Sequence, residues 1–168
     1  TIFETYKARM PWLLLLMISA TFTGKIIESF EEELKAYTIL TAFIPMLMDT
    51  GGNAGSQSSV SVIRALSLND IEFKDIFKVM WKESKVAILC SLTLALCNFL
   101  KLLIIDRIPL LVSLTVCLTL IVTIILAKLI GCTLPMIAKK LKFDPAVMAS
   151  PFITTIVDAC SLLIYFYI

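Results

Sequence analysis

The chain has 168 residues, of which 59% are hydrophobic, and a mean hydropathy of +0.95, values typical of an integral membrane protein rather than a soluble domain. It contains no histidine, which excludes imidazole metal ligands and histidine-based catalytic triads. The formal net charge of +2 says little about partners. We expect an all-α, polytopic protein that forms one transmembrane domain over residues 1–168 and contacts lipid rather than nucleic acid.

Five apolar segments are predicted to cross the membrane. They cover residues 11–27, 36–66, 86–105, 109–138 and 145–168. The second is too long for a crossing of about 20 residues, so we expect its ends to project or its helix to bend. The fifth opens with Asp144 and Pro145, a helix-capping residue followed by proline at the first helical position.

The segment from 69 to 85 alternates charged and apolar residues at helical spacing. Its apolar positions are Ile71, Phe73, Ile76, Phe77, Met80 and Trp81. This pattern predicts an amphipathic helix that lies on the membrane surface before the third crossing.

The basic residues predict the orientation of the chain in the membrane. One side collects Lys7, Arg9, Arg64, Lys74, Lys78, Lys82, Lys85, Lys139, Lys140 and Lys142, and the other has Lys25, Lys35, Lys101 and Arg107. Because the more basic side faces the cytoplasm, we expect a multi-pass protein of the plasma (inner) membrane, with its N-terminus in the cytoplasm and its C-terminus outside. An odd number of crossings, with no internal repeat, favours a second copy of the chain as the other half of any symmetric pathway.

A polar, glycine-rich stretch over residues 50–58 interrupts the second apolar segment. Gly51, Gly52 and Gly55 allow close approach of another helix or an exposed carbonyl. If the helix ran unbroken, one stripe would carry the polar residues Asp49, Asn53, Gln57, Ser61 and Arg64. Pro45 is expected to free the carbonyl of Thr41. Polar groups at membrane depth persist where they face protein or water, so this stretch favours a pathway lining.

The fifth segment carries a second polar group. Ser150, Thr154, Asp158 and Ser161 fall within an arc of about 80° on one helical face. An aspartate at the centre of a membrane helix costs about 2.5–3.5 kcal/mol on insertion scales. A partner such as Lys128 or a serine could offset this cost in a purely structural role. The alternative, favoured by the neighbouring hydroxyls and by Pro151, is that Asp158 binds an ion or carries a proton.

The two polar groups together offer carboxylate, carboxamide, hydroxyl and carbonyl oxygens. This set suits a hard cation such as Mg²⁺ or Ca²⁺ better than zinc or copper. Mg²⁺ sheds water reluctantly and is well served by one or two carboxylates with oxygens that bind its hydration water. Two Asp158 carboxylates that meet on a two-fold axis would repel each other unless a divalent cation or a proton lay between them.

These same residues resemble the MgtE family of magnesium channels. The resemblance lies in Pro45–Gln57 (PMLMDTGGNAGSQ), in Asp144-Pro145-Ala146, and in Ser150–Asp158 followed by Leu162–Tyr165, and its five-crossing layout covers essentially the whole chain. The family's cytosolic N-terminal domain and CBS-domain pair, which sense intracellular Mg²⁺, have no counterpart in these residues.

The resemblance implies a homodimer with a pore at the subunit interface, lined by the second and fifth crossings. In this pore Asp158 would bind hydrated Mg²⁺. The carbonyl of Thr154 and the backbone from Asp49 through Gly51 and Gly52 to Asn53 would complete the metal path. The remaining residues predicted to line the pore are Gln57, Ser150, Pro151 and Ser161.

The sequence therefore predicts a passive channel for divalent cations, Mg²⁺ first among them, rather than an enzyme. A proton- or sodium-coupled exchanger that uses Asp158 as its coupling acid is the first alternative. A non-conducting scaffold is another. An intramembrane aspartyl protease with Asp49 and Asp158 as its dyad is disfavoured, because the G-x-G-D motif of such enzymes is absent around both residues.

Overall fold

The computed structural model describes the backbone of residues 1–167 and the side chains other than those of 146–151. In this described part all regular structure is helical, as predicted. The six α-helices are α1 (Ile2–Ser29), α2 (Glu31–Ala36), α3 (Ile44–Ser67), α4 (Ile76–Ile104), α5 (Leu110–Lys140) and α6 (Pro145–Tyr167). Short 3₁₀ helices over Thr38–Phe43 and Phe73–Asp75 precede α3 and α4.

Helix α5 lies at the centre of the bundle and packs against α3, α4 and α6. Its buried residues run along most of its length, whereas α1 contacts mainly α6 and buries none of its described residues. Aromatic pairs attach α1 to α6 near both ends. Trp12 meets Phe152 edge-on with ring centroids 6.4 Å apart, and Phe30, just after α1, stacks on Phe166 at 4.5 Å. Most of the outer surface of α1 is left apolar and exposed, as expected for a lipid-facing helix.

Three described helical segments are long and apolar enough to cross a membrane. They are Ile2–Ser29, Phe73–Ile104 and Leu110–Lys140. Residues Phe152–Tyr167 of α6 form a shorter apolar helix. Helix α3 has 24 residues, about 36 Å of helix, but it is less apolar because one of its faces is polar. The membrane character of the chain is thereby supported, while five crossings remain a prediction.

The predicted surface helix over 69–85 is not a separate element. Asn69 adopts a positive φ of 58° at the turn after α3, a 3₁₀ turn follows, and α4 begins at Ile76. The helix then continues past Lys85 to Ile104 without glycine or proline, so nothing in the sequence ends it at 85. The apolar face of this segment packs largely against α3 and α5, with Ile71, Phe73, Ile76 and Met80 partly buried, and only Phe77 and Trp81 are left exposed.

The glycine-rich stretch does not break its helix, which corrects the prediction made from its composition. The chain instead turns at Tyr37, between α2 and the 3₁₀ helix. Pro45 lies in the first turn of α3, where a missing N–H costs nothing. The carbonyl of Thr41 is also not freed, because it accepts a hydrogen bond from the N–H of Ile44. Helix α1 likewise begins at Ile2 and runs through Pro11, where the first crossing was predicted to start.

Candidate functional site

Helix α3 buries its small residues and exposes its polar ones. The buried residues follow helical spacing and include Gly51, Ala54, Gly55, Ser58, Ser59 and Val62. Gly51 and Gly55 face α5 and α6, where the absence of a side chain lets the helix axes approach closely. The polar stripe predicted for an unbroken helix is present on the other side, and its five members, Asp49, Asn53, Gln57, Ser61 and Arg64, are all exposed in the protomer.

The close approach of α3 to its neighbours depends on three glycines. A Cβ atom added to Gly131 of α5 would overlap the carbonyl oxygen of Gly55. A Cβ on Gly51 would lie 2.8 Å from Thr123 of α5 and 2.9 Å from Val157 of α6. Gly52 differs, because a Cβ there meets no atom of the neighbouring helices within 4 Å. Gly51 is therefore a packing residue in the protomer, and its predicted role as a metal ligand could involve only its backbone.

Asp49 of α3 and Asp158 of α6 lie on adjacent helices that pack closely, since a Cβ on Gly51 would lie 2.9 Å from Val157, the residue before Asp158. Asp158 is half-buried and Asp49 is exposed. Within the described part of the chain, no hydrogen bond or ion pair reaches the carboxylate of Asp158. The pairing of Asp158 with Lys128 considered above is thus not found, and among the described residues no ion pair involves either Asp49 or Asp158.

The other residues predicted on α6 do not share one environment. Thr154 lies one turn before Asp158 and is exposed. Ser161 is buried against α3, with its hydroxyl donating to the carbonyl of Val157 at 2.6 Å, so its side chain does not lie on the exposed polar surface. The side chains of Ser150 and Pro151 lie outside the described residues.

A polar groove runs between α3 and α4, with α5 as its floor. Its wider part has a volume of about 740 Å³ and continues into a more apolar part of about 500 Å³. Asn53 and Gln57 of the polar stripe line both parts, together with Lys128 of α5. Ser58 donates to the carboxylate of Glu83 on α4 at 2.7 Å, which joins α3 to α4 across the wider part.

Sequence analysis did not identify Glu83 as a groove residue. It belongs to the segment that was predicted to lie on the membrane surface, so its contact with α3 was not expected. The i to i+4 spacing of Asn53 and Gln57 was the available signal for the α3 wall. No comparable signal in the sequence links α3 to α4.

One protomer offers few ligands for a metal ion. Among the described residues, no three Asp, Glu, Cys or His side chains cluster closely enough to hold a metal. Asp49 and Asp158 form a pair of carboxylates, and the exposed carboxamide of Asn53 lies one turn along α3 from Asp49. Such a sparse oxygen set fits a cation that keeps most of its hydration water.

Comparison with known proteins gives a consistent match. The sequence profile of MgtE, described as a divalent cation transporter, matches residues 44–168. The magnesium transporter MgtE of Thermus thermophilus is 37% identical over 160 residues, and that of Bacillus subtilis is 38% identical over 162 residues. The MgtE of Enterococcus faecalis is 33% identical over 165 residues.

These alignments cover 94–95% of this chain but 35% of each relative, so the chain spans about a third of the length of the transporters it matches. The matching proteins are named as magnesium transporters and not as enzymes. Because the family profile covers most of the sequence, from the start of α3 to the last residue, the chain belongs to the MgtE family of divalent cation transporters.

Proposed function

We propose that this protein is the membrane-spanning part of a magnesium channel, in which hydrated Mg²⁺ passes between two copies of the chain. The observation that carries the proposal is the placement of Asp49 and Asp158 on adjacent helices, near the exposed carboxamides of Asn53 and Gln57, where neither carboxylate has an ion-pair partner among the described residues. Two like charges at membrane depth are costly unless a cation or a proton offsets them. A divalent cation offsets both charges at once.

The position of the polar stripe supports the proposed homodimer. Asn53, Gln57 and Ser61 are exposed at successive turns of a helix whose opposite face is packed in the protomer. Ser61 donates its hydroxyl to the carbonyl of Gln57, but lipid would leave the carboxamides of Asn53 and Gln57 without partners, whereas the same face of a second copy would enclose them around a hydrated path. A face turned to a hydrated path would make α3 less apolar than a lipid-exposed crossing, which supports α3 as the second of five crossings. The proposed cytoplasmic N-terminus rests on the distribution of the basic residues.

In the proposed path, the ion keeps its inner water shell. The carboxylates of Asp49 and Asp158 accept hydrogen bonds from these waters, and the carboxamide oxygens of Asn53 and Gln57 do the same along α3. The backbone of Thr154, Gly51 and Gly52 stays among the predicted contributors. An inward-negative potential would add about 2.3 kcal/mol per charge per 100 mV, roughly doubled for a divalent ion, so inward movement needs no coupled gradient.

The test is Mg²⁺ uptake into liposomes that contain the purified protein, with a Mg²⁺-sensitive dye inside. Asp158→Asn removes the charge and keeps the shape, and we expect it to lower uptake by about tenfold or more, since a hydrogen bond to a charged group contributes about 1.5–3 kcal/mol. Asp70→Asn, the same change at an exposed turn after α3, is the matched control and should leave uptake unchanged.

Imposing a proton or sodium gradient separates the mechanisms. Uptake that depends on Asp158 but not on either gradient supports a channel. Uptake that follows one of the gradients would instead show an exchanger. Wild-type protein that is folded and dimeric but gives no uptake, or uptake that Asp158→Asn leaves intact, would contradict the proposed path.

A further inference from the structure

We propose that Lys128 is a tethered positive charge beside the ion path, and that the opposing electrostatic effects of Lys128 and Glu83 set how strongly the path attracts Mg²⁺. This inference rests on the proposed function, and it assigns a specificity-determining role to the groove between α3 and α4. The two residues face the same groove as Asn53 and Gln57, which also belong to the polar stripe of α3.

Lys128 is the unusual residue of α5. It lies twelve residues, or about 18 Å along the axis, before Lys140, the last residue of the helix. The side chain of Lys128 is deeply buried, with the residue only 5% exposed. Among the described residues, none forms an ion pair or hydrogen bond with its ammonium group. A buried charge without a partner is costly, so the polar groove that Lys128 lines must supply the solvation of its ammonium.

Glu83 brings the opposite charge to the same groove without neutralising Lys128. Its carboxylate accepts the hydroxyl of Ser58 at 2.7 Å, which holds it against α3, and no ion pair within 4.0 Å joins it to the lysine. The groove therefore holds one fixed positive and one fixed negative charge at separate places. Both lie behind the wall that Asn53 and Gln57 share with the proposed path.

Fixed charges beside a path change the local concentration of an ion according to the ion's own charge. If a positive charge lowers the local concentration of a monovalent cation by a given factor, it lowers that of a divalent cation by the square of that factor. Lys128 is thus expected to weaken capture of Mg²⁺, and Glu83 is expected to strengthen it. Such a tethered cation limits how long the ion stays, which a conducting site requires as much as attraction.

The test measures the half-saturating Mg²⁺ concentration for uptake into liposomes, separately from the maximal rate. Lys128→Met removes the charge with similar length, and we expect it to lower the half-saturating concentration by about fourfold. Glu83→Gln keeps an acceptor for Ser58 and should raise this concentration by a similar factor. The double variant should return near the wild-type value, and Lys128→Arg should stay close to it.

Opposite shifts exclude a merely structural role, because damage to the fold would impair both single variants in the same direction. Lys101→Met is the control, since Lys101 is an exposed residue ion-paired with Asp106 at 3.0 Å. Unchanged half-saturation in both single variants, or shifts of the same sign, would overturn the inference even where uptake still requires Asp158. Loss of that Asp158 requirement would instead overturn the proposed function.

Discussion

Replacing Gly131 with alanine tests whether the close contact of α3 and α5 holds the bundle together. The added Cβ would overlap the carbonyl oxygen of Gly55 and lie 2.9 Å from its carbonyl carbon. These are backbone atoms, which cannot rotate away, so the helices must separate by on the order of 1 Å to reach normal contacts near 3.5 Å. Overpacking of this kind costs about 1–3 kcal/mol, and we expect Gly131→Ala to lie at the upper end.

The same substitution at Gly52 should have the opposite sign. Apart from its own helix backbone and chain neighbours, no atom of the protomer lies within 4 Å of the Cβ position there, so the expected gain is the better helix propensity of alanine, about 0.8–1.0 kcal/mol. Gly51→Ala should fall between the two variants, because the added Cβ meets side chains of Thr123 and Val157 that can adjust. The predicted order of stability is Gly52→Ala, wild type, Gly51→Ala and Gly131→Ala.

The assay is reversible unfolding of the purified protein in mixed micelles with increasing denaturing detergent, followed by circular dichroism. All variants are unfolded into micelles of the same detergent composition, so differences in the unfolding midpoint report differences in the free energy of folding. If Gly131→Ala unfolded at the same midpoint as Gly52→Ala, the axes of α3 and α5 could not be as close as the structure has them. The reasoning about glycine contacts would then fail.

Two further contacts give predictions by the same assay. Tyr165→Phe removes the hydrogen bond that the Tyr165 hydroxyl donates to the carbonyl of Leu40 at 2.7 Å. We expect the free energy of unfolding to fall by about 1 kcal/mol. A midpoint equal to that of the wild type would show that this bond does not hold α6 against the 3₁₀ helix. Lys139→Met removes the hydrogen bond that its ammonium donates to the carbonyl of Leu66 at 2.9 Å, near the end of α3. This change should lower the free energy of unfolding by about 1–2 kcal/mol. The control Lys142→Met, at an exposed position, should leave it unchanged.

The sequence predicted the helical class and the α6 boundary at Pro145 because these depend on local signals. Apolar runs and proline at a first helical position act over a few residues. The prediction that the helix is interrupted at the glycines was wrong for a physical reason. Glycine lowers helix propensity in isolation, but in α3 the loss is offset by the packing that Gly51 and Gly55 permit against α5 and α6. That compensation is tertiary, so composition alone could not show it.

In the candidate site, too, some features could be predicted from local sequence patterns and others depend on tertiary packing. The stripe through Asn53 and Gln57 could be predicted from helical spacing, because exposure along one helix is a matter of geometry. The burial of Ser161 could not, since it shares a helical face with Asp158 but lies where α3 packs on α6. The joining of Ser58 to Glu83 was equally hidden, because it depends on where two separate helices stand on α5.

Helix α3 combines two demands that are usually met by different helices. Packing at membrane depth favours small residues on one face, and a hydrated path favours carboxylate and carboxamide groups on another. A larger residue at Gly55 would move α3 away from α5, and the same movement would change the distance between Asp49 and Asp158, since α6 packs on the same helix. Substitutions at the buried glycines should therefore alter Mg²⁺ uptake as well as stability, although none of their side-chain positions faces the path. Uptake that stayed normal in a destabilised Gly55→Ala protein would show that the carboxylate pair does not depend on the packing of α3.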